Sequence, residues 1–448
     1  MKLFAYDIAD ALGLPHPAVN IEIRHIVTDS REVRENTLFA ALAGERVDGH
    51  DFIPALDQTQ KDILFLTSRP MDTRNGCLVC EDVLEALGDI AALHLSRLNV
   101  KKVAITGSVG KTTTKEMVSY VLEGAFRTQK TLANRNNELG MPLTAFSVEE
   151  THETAVFEMG MRGFGQIAYL ASRVRPDIGV VTNIGTVHME LLGSRENICK
   201  AKMELADHLS PEGIMILNGD EPLLRQYAAH HGIKAQYFGI RTKADFFARD
   251  ICMSRDGVKY TLVCENREFP VSLPVAGEHN VYNSLAAFAV AYRLGEDPAV
   301  ILGRLASFSD GGLRQNIYME NGILYFDDTY NASPEAVCAS LDLMRQYPNR
   351  KIAVLADMLE LGPQEAELHQ RVGAYCRSAG IHTLICYGPL SENTAQGFGG
   401  GKWFADRDGA LAALLETARE NDMILFKGSH AMACGKLLSD FKKRWNER

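Results

Sequence analysis

The stretch KVAITGSVGKTTTKEM, residues 102–117, decides the fold of this chain. Its first residues form an apolar run of the kind that makes a buried strand, and its last residues are compatible with a helix. Between them lies a glycine-rich turn with the residue order of a nucleotide-binding P-loop. The residues of this turn that we expect to bind ATP are Gly107, Ser108, Val109, Gly110, Lys111, Thr112 and Thr113.

The chemistry of the turn suits a polyphosphate. Glycines let backbone N–H groups converge on phosphate oxygens, and the start of a helix adds positive potential. Lys111 can reach the terminal phosphates, and the hydroxyl of Thr112 can bind magnesium. The strict pattern GxxxxGK[ST] requires glycine at position 105, where this chain has Ile105, so the match is to a shorter variant. A plain glycine turn is the alternative interpretation, but it leaves Lys111 unexplained.

Outside this turn, apolar runs alternate with amphipathic stretches, which is typical of a parallel, doubly wound sheet. One set extends from Lys102 to about Asp310, and a second begins with GILYFDD after a turn cluster at 309–312. The 448 residues also suggest about three domains. We therefore predict a three-domain α/β protein. Its domains are a small N-terminal α/β domain (1–82), a central, mostly parallel, doubly wound domain with the P-loop (83–311) and a C-terminal Rossmann-like α/β domain (312–448).

The composition is that of a folded globular protein, with 46% hydrophobic and 23% charged residues. A net charge of −10 argues against nucleic acid or an anionic membrane as partner and favours small molecules. The first ten residues make a poor signal peptide, and no apolar run reaches the ~18 residues that span a bilayer, so we expect a cytoplasmic protein without membrane insertion. Nine cysteines scattered along the chain fit reduced thiols better than a set of disulfides. Cys77 and Cys80 form one CxxC motif, but a zinc site would need a second such pair, so we interpret them as core thiols.

Polar side chains follow two predicted strands of the central region. Glu158 ends the run TAVFE, and His188 follows the run IGVVTNI. Open α/β sheets place their ligands at such strand ends, so Glu158 is a candidate magnesium ligand. A lone histidine is more often structural. Lys202 lies in a helical run rich in charges and is, on its own, best interpreted as a solvated lysine.

Eight motifs follow one another along the chain: TGSVGKTTTKE (106–116), LANRNNELGMP (132–142), FEMG (157–160), TNIGTVHMELLGS (182–194), AKMEL (201–205), GEHNVYNSLAA (277–287), FDDTYNASPEA (326–336) and VLADMLELG (354–362). Taken together, they resemble the motifs of the Mur ligase family of peptidoglycan assembly. Consistency across so many motifs makes coincidence a poor explanation. The resemblance implies an ADP-forming, ATP-dependent ligase with an N-terminal domain for a UDP-sugar, a central ATPase and a C-terminal domain that closes over ATP and the amine.

By the same resemblance, the catalytic residues are Lys111, Glu158, His188 and Lys202. Thr112 and Glu158 would hold one of two magnesium ions, and His188 and Lys202 the second. Lys202 would carry carbon dioxide as a carbamate. A free ammonium is repelled by Mg²⁺, whereas a carbamate offers the ion an anionic oxygen.

The resemblance also implies ligand contacts in all three predicted domains. Asn283 would contact the adenine, Arg314 the phosphates and Asp328 the ribose. Tyr330 and Asn331 would line the ATP and amine side of the cleft. The remaining candidates, which lie in or near TDSR (28–31), LFAALAGERVDGHDF (38–52) and LANRNN, are implied to bind the other substrates. They are Ser30, Arg31, Asp48, His50, Asn134, Asn136 and Asn137.

The implied substrates are a UDP-muramoyl tripeptide and D-alanyl-D-alanine, joined by a monomer whose C-terminal domain hinges about residues 309–312. Gln166 stands where the family more often has Glu, and His430 stands where it more often has Arg. These two departures put the family's contacts to the second substrate in doubt for this chain. We therefore assign Lys427 and His430 no catalytic role. One alternative is another Mur-type ligase, adding the third peptide residue or acting like a folylpolyglutamate synthetase. An alternative from a different class is a P-loop regulatory ATPase or nucleotide-sensing module.

Overall fold

The computed structural model describes residues 2–309 and 315–447. Contacts within the chain define two compact units, each made of three segments. One consists of Met1–Thr106, Leu122–Val181 and Ala201–Ile216, and the other of Gly107–Val121, Thr182–Lys200 and Leu217–Arg448.

Residues 2–98 form a small α/β region, and the N-terminal α/β domain predicted for residues 1–82 lies within this part of the chain. Its elements are β1 (Leu3–Phe4), α1 (Ala5–Leu12), β2 (Glu22–Ile23), β3 (His25–Val27), β4 (Thr37–Ala40), α2 (Ile53–Thr59), β5 (Ile63–Thr67), β6 (Cys77–Val79) and α3 (Val83–Ser96). Strands β3, β4, β5 and β6 make one parallel sheet in that order. Every residue of β5 is buried, as a parallel strand covered on both faces requires. Helix α3 begins after Asp82, whose carboxylate accepts from the N–H groups of Leu84 and Glu85.

The next region places the P-loop between a strand and a helix. Its elements are β7 (Lys101–Thr106), α4 (Lys111–Leu122), β8 (Thr128–Lys130), α5 (Gly140–Phe146), β9 (Thr154–Glu158), α6 (Gln166–Val174), β10 (Ile178–Val181), α7 (Met189–Leu192), α8 (Arg195–Met203) and β11 (Ile214–Asn218). In the first unit, β10, β7, β9 and β8 lie side by side in a parallel sheet. Strands β7, β9 and β10 are three of the predicted apolar runs, and Glu158 is the last residue of β9, as expected.

Residues 219–309 depart from the predicted alternation. Their elements are α9 (Pro222–His230), β12 (Ala235–Gly239), β13 (Phe246–Ser254), β14 (Gly257–Cys264), β15 (Arg267–Leu273), α10 (Glu278–Arg293) and α11 (Pro298–Ala306). Strands β12 and β13 are parallel, but β13, β14 and β15 form an antiparallel meander. The turn between β14 and β15 has positive φ at both Glu265 and Asn266, the backbone of a type I′ hairpin turn. The strands of residues 219–309 are therefore parallel only in part.

Residues 315–447 form an α/β region with its own sheet, as predicted for the C-terminal part of the chain. Its elements are β16 (Asn316–Glu320), β17 (Ile323–Asp327), α12 (Pro334–Met344), β18 (Lys351–Ala356), α13 (Glu365–Ser378), β19 (Thr383–Tyr387), α14 (Ser391–Phe398), β20 (Lys402–Phe404), α15 (Arg407–Thr417), β21 (Met423–Lys427) and α16 (Cys434–Asn446). The sheet order is β16-β17-β21-β18-β19-β20, and only β16 runs antiparallel to its neighbour. Apolar clusters cover both faces of this sheet. Because β21 lies beside β17, their carboxyl ends are neighbours.

The predicted class of fold, mixed α/β with parallel-rich sheets, is confirmed. The predicted domain boundaries stay predictions, and the turn cluster at 310–312 lies outside the described residues. All nine cysteines are free thiols, in agreement with the sequence analysis. Within the described ranges, no helix combines the length and the apolar character needed to cross a bilayer.

Candidate active site

The P-loop has a backbone that requires glycine at two positions. Gly107 has a φ of +153° and Gly110 a φ of +83°, in the range that L side chains avoid. A β-carbon at position 107 would lie 1.9 Å from Oγ1 of Thr182, so no larger residue fits there. Helix α4 then begins at Lys111, and Thr112 and Thr113 lie half-buried in its first turn.

Two residues after β10 brace this loop. The Thr182 hydroxyl and the Asn183 side-chain amide both donate to the carbonyl of Val109, at 2.7 and 2.9 Å. In return, the N–H of Val109 donates to Oδ1 of Asn183 at 2.9 Å, and the N–H of Ser108 donates to the Asn183 carbonyl at 3.2 Å. These two amides therefore hold the loop rather than a ligand. The sequence analysis missed this bracing, because partners 73 and 74 residues apart leave no local signal.

Lys111 folds its side chain back over the loop. Its ammonium donates to the carbonyls of Gly107 and Ser108, at 2.8 and 3.4 Å. The hydroxyl of Ser108 is buried and, among the described residues, has no hydrogen-bond partner. Burying a hydroxyl without a partner costs free energy, and a phosphate oxygen could satisfy it. The loop thus fits the polyphosphate that the sequence predicted.

Asn283 lies against the P-loop with its amide engaged at both ends. Its Oδ1 accepts from the hydroxyl of Thr114 at 3.0 Å, and its Nδ2 donates to Oδ1 of Asn280 at 3.0 Å. A β-carbon at Gly110 would lie 3.2 Å from the same Oδ1. Asn283 therefore supports the start of α4, and its contact with adenine stays a prediction.

The carboxyl ends of β17 and β21 hold a buried ion pair. Nζ of Lys427 lies 2.5 Å from Oδ2 of Asp328 and 3.0 Å from the carbonyl of Asn331. The hydroxyl of Ser340 donates to the same Oδ2 at 2.7 Å. Lys427, to which the sequence analysis gave no catalytic role, is thus the residue that fixes Asp328. The contact of Asp328 with a ribose stays a prediction.

Three further candidates of the C-terminal region are more exposed or lie outside the structure. The ring of Tyr330 is 40% exposed and lies 5.9 Å from that of the exposed His430. The side chain of Asn331 is exposed, and its Oδ1 accepts from the N–H of Ala332 at 3.0 Å. Arg314 lies outside the described residues.

His188 belongs to a loop that two distant glutamates contact. Nδ1 of His188 lies 2.6 Å from Oε2 of Glu360. Two residues earlier, the N–H and the hydroxyl of Thr186 both donate to Oε1 of Glu335 at 3.0 Å. The motifs that contain Glu335 and Glu360 were visible in the sequence, but neither residue was predicted to act on this loop.

In the first unit, Glu158 is 2% exposed at the end of β9. The side-chain amide of Asn136 donates to its Oε1 at 2.7 Å, and the N–H of Glu158 donates to the hydroxyl of Thr131 at 3.1 Å. The structure therefore places Asn136 on a predicted catalytic carboxylate. Asn134 and Asn137, close to Asn136 in the sequence, are both exposed. Oδ1 of Asn137 accepts from the N–H of Gly140, the first residue of α5.

Two lysines of the central region are buried. Lys202 is only 2% exposed, so its interpretation as a solvated lysine on a charged face is wrong. Lys115 is fully buried and lies 2.9 Å from a carboxylate oxygen of Glu116. The sequence analysis missed Lys115, since a lysine one turn into a helix gives no sign of its burial.

In the N-terminal region, His50 is 1% exposed with both ring nitrogens engaged. Nε2 accepts from the N–H of Ser68 at 3.1 Å, so Nδ1 carries the proton that faces Oδ1 of Asp48 at 2.6 Å. Hydrogen bonds from the backbone N–H and the ring of His50 lower the pKa of Asp48 to about 2. His50 and Asp48 are therefore held in place by hydrogen bonds to each other. Their contact with a UDP group stays a prediction.

Ser30 and Arg31 open a single 3₁₀ turn after Asp29. The guanidinium of Arg31 lies 2.5 Å from Oδ2 of Asp29, and this pairing lowers the pKa of that carboxyl to about 2. Arg31 is exposed and Ser30 half-exposed, so both remain accessible to a ligand.

Comparison with known proteins gives the class of this chain. Three family models match it: "Mur ligase family, catalytic domain" over residues 22–70, "Mur ligase middle domain" over 105–291 and "Mur ligase, glutamate ligase domain" over 314–430. A relative from Bacillus subtilis is 35% identical over 93% of both chains. The chain therefore belongs to the Mur ligase family, and the predicted family and enzyme class are confirmed.

The B. subtilis relative is named UDP-N-acetylmuramoyl-tripeptide–D-alanyl-D-alanine ligase, which is the function predicted from the sequence. The structure of MurF from Acinetobacter baumannii has a TM-score of 0.90, with 30% identity over 99% of both chains. MurF ligase from Thermotoga maritima, solved in complex with ADP, has a TM-score of 0.83 with 30% identity over 95% of this chain and 98% of the other.

Proposed function

We propose that this chain joins D-alanyl-D-alanine to UDP-N-acetylmuramoyl tripeptide, using ATP, in the synthesis of a peptidoglycan precursor. The observation that carries the proposal is the likeness along 93% of the chain to the B. subtilis ligase of that name. The P-loop supports it, since its geometry suits the nucleotide phosphates of the ADP found in the Thermotoga structure. Contacts to the sugar and the dipeptide remain part of the proposal.

The first step activates the tripeptide. An oxygen of its terminal carboxylate attacks the γ-phosphorus of ATP, the bond from that phosphorus to ADP breaks, and an acyl phosphate forms. A carboxylate is a poor acyl donor in water, so this phosphorylation supplies the driving force. Lys111 stabilises the negative charge on the transferring group.

The second step forms the amide. The amine of D-alanyl-D-alanine attacks the acyl carbon, the tetrahedral intermediate expels phosphate, and the nitrogen loses a proton. We propose that Tyr330 and Asn331 line the amine side and that Asp328, fixed by Lys427, binds the ribose of ATP. Arg314 is proposed for the phosphates.

Magnesium would act as a Lewis acid toward the phosphate oxygens. The proposed ligands are Thr112 and Glu158 for one ion, and His188 and carbamylated Lys202 for the other. Mg²⁺ keeps several waters and substrate oxygens, so few protein ligands suffice. The described residues contain no cluster of three or more His, Cys, Asp or Glu side chains that could hold a metal. The amide of Asn136 orients Glu158 for this role.

The proposed carbamate of Lys202 has its support in burial. An ammonium at 2% exposure is costly, whereas carbon dioxide converts the neutral amine and releases a proton to give an anionic ligand. Protein equilibrated with ¹³C-bicarbonate should show a carbamate carbon resonance that is missing in Lys202→Arg. The same spectrum from both proteins would contradict the modification.

A coupled assay tests the whole proposal. Phosphate release should require both UDP-muramoyl tripeptide and D-alanyl-D-alanine, and mass spectrometry should find the joined pentapeptide. Release with a single amino acid or with glutamate in place of the dipeptide would indicate another Mur-type ligase instead. The proposal also places the enzyme in the cytoplasm as a monomer, which fractionation of cells and sedimentation can check.

A further inference from the structure

The loop of residues 185–190 is held from two sides by residues far away in the chain. Oε1 of Glu335, in the first turn of α12, accepts both the N–H and the hydroxyl of Thr186 at 3.0 Å. The loop is also tightly packed. A β-carbon at Gly185 would lie 3.1 Å from Cδ of Glu335 and 3.1 Å from Cβ of Ser108. One end of the loop is therefore fixed between the P-loop and α12.

The other end of the loop is fixed by the segment after β18. Nδ1 of His188 lies 2.6 Å from Oε2 of Glu360, a residue 172 positions away. The backbone joins in, because the N–H of Glu190 donates to the carbonyl of Glu360 at 3.2 Å. Gly362 packs so closely that a β-carbon there would lie 3.0 Å from Cα of Glu190.

Both partners of the His188–Glu360 contact have strained backbones. His188 has a φ of +67° and Glu360 a φ of +64°, in the left-handed region that non-glycine residues rarely occupy. Such a conformation costs about 1–3 kcal/mol and persists only where the surroundings impose it. Two strained residues that contact each other indicate that their mutual geometry matters.

The contact with Glu360 also determines the tautomer of the His188 imidazole. An ionised carboxylate can only accept, so Nδ1 of the neutral ring carries the proton and the lone pair is on Nε2. A histidine that binds a metal usually has this arrangement, with the opposite nitrogen donating to a carboxylate. We propose that Glu360 is a positioning residue that holds His188 in the orientation and tautomer for binding a divalent cation. This inference rests on the proposed function, which gives His188 a metal.

Three variants test the proposal: Glu360→Ala, Glu360→Gln and, as a matched control, Glu367→Ala on the exposed surface a few residues on. Binding of Mn²⁺ in the presence of ADP is followed by electron paramagnetic resonance, and phosphate release is followed over a range of Mg²⁺ concentrations. Loss of such a carboxylate typically costs about 10–100-fold in metal affinity. Glu360→Ala should therefore need that much more of either ion, with a smaller change in kcat at saturating Mg²⁺.

Glu360→Gln should stay near the wild type, because its amide oxygen still accepts from Nδ1. Glu367→Ala should match the wild type. Glu360→Ala with wild-type affinity for both ions, or with a loss of turnover that no Mg²⁺ concentration changes, would overturn the proposal. So would a wild-type protein that binds no Mn²⁺ with ADP. If wild-type protein binds Mn²⁺ but releases no phosphate with both substrates, the proposed function fails, while the Mn²⁺ affinities still decide the role of Glu360.

Discussion

The P-loop and the ends of strands β17 and β21 each present a lysine, but the two lysines have different surroundings. Lys111 is half-buried and donates to carbonyls four and three residues earlier. Lys427 is 3% exposed and pairs with the carboxylate of Asp328, 99 residues away. A short motif reveals the first arrangement, whereas the second exists only once the strand order is set. We expect the first lysine to serve chemistry and the second to serve stability.

The largest effect should follow from Lys111→Ala. Removing the cation that stabilises a transferring phosphoryl group costs about 10³–10⁵-fold in kcat where a comparable residue has been removed. The melting temperature should change little, since the lost hydrogen bonds go to carbonyls of the same loop. Phosphate release and calorimetry measure the two quantities, with exposed Lys234→Ala as the control. Full turnover by Lys111→Ala would remove the basis of the proposed mechanism.

Lys427→Ala, in contrast, should lower the stability of the protein. Removing one member of a buried ion pair leaves the other charge uncompensated and costs about 3–5 kcal/mol. Asp328 would keep the hydroxyl of Ser340 as a donor, but its charge would have no counterion from Lys427. Urea unfolding should show the loss, and Lys436→Ala, on the exposed surface of α16, should not. Equal stability of the two variants would mean that the pair contributes nothing.

The contrast between the lysines also describes how far the sequence could predict the molecule. Strands β7, β9, β10, β17, β18, β19 and β21 were predictable because each is a short apolar run. The edge strand β16 was missed because its residues are mostly half-buried and lack a clear pattern. The glycines and Lys111 of the P-loop follow from a local motif. Glu335, Glu360 and Lys427 act on partners 99 to 172 residues away, which no local pattern encodes.

A smaller effect should follow from removing one of the hydrogen bonds that brace the P-loop. Thr182→Val removes the hydroxyl that donates to Val109 while keeping the shape of the side chain, and Thr182→Ser keeps the hydroxyl. Because Asn183 still binds the same carbonyl, we expect Thr182→Val to raise KM for ATP about tenfold, or ~1.4 kcal/mol. Thr182→Ser should stay close to the wild type. A similar KM in both variants would show that the hydroxyl does not shape the loop.

The last effect is confined to one range of pH and concerns a buried carboxyl that, unlike Asp328, has no lysine partner among the described residues. Glu296 is 4% exposed, and neither of its carboxylate oxygens has a hydrogen-bond partner among the described residues. Burial raises its pKa to about 7, an effect that the positive charge of Arg304 partly opposes. Between its ordinary value of 4.5 and about 7, the native state binds more protons than the unfolded state. Stability should therefore fall as the pH rises through this window.

Glu296→Gln isolates this cost, because the amide stays neutral at every pH. Urea unfolding should show the variant more stable than the wild type by as much as about 3 kcal/mol at pH 8, where the wild-type carboxyl is ionised, and no more stable near pH 4.5. Glu212→Gln on the exposed surface should give no pH-dependent difference. A gain that is the same at both pH values would come from packing rather than from charge. In that case the charge of Glu296 would not affect stability. Glu296 and Asp328 would then differ only in their hydrogen bonds.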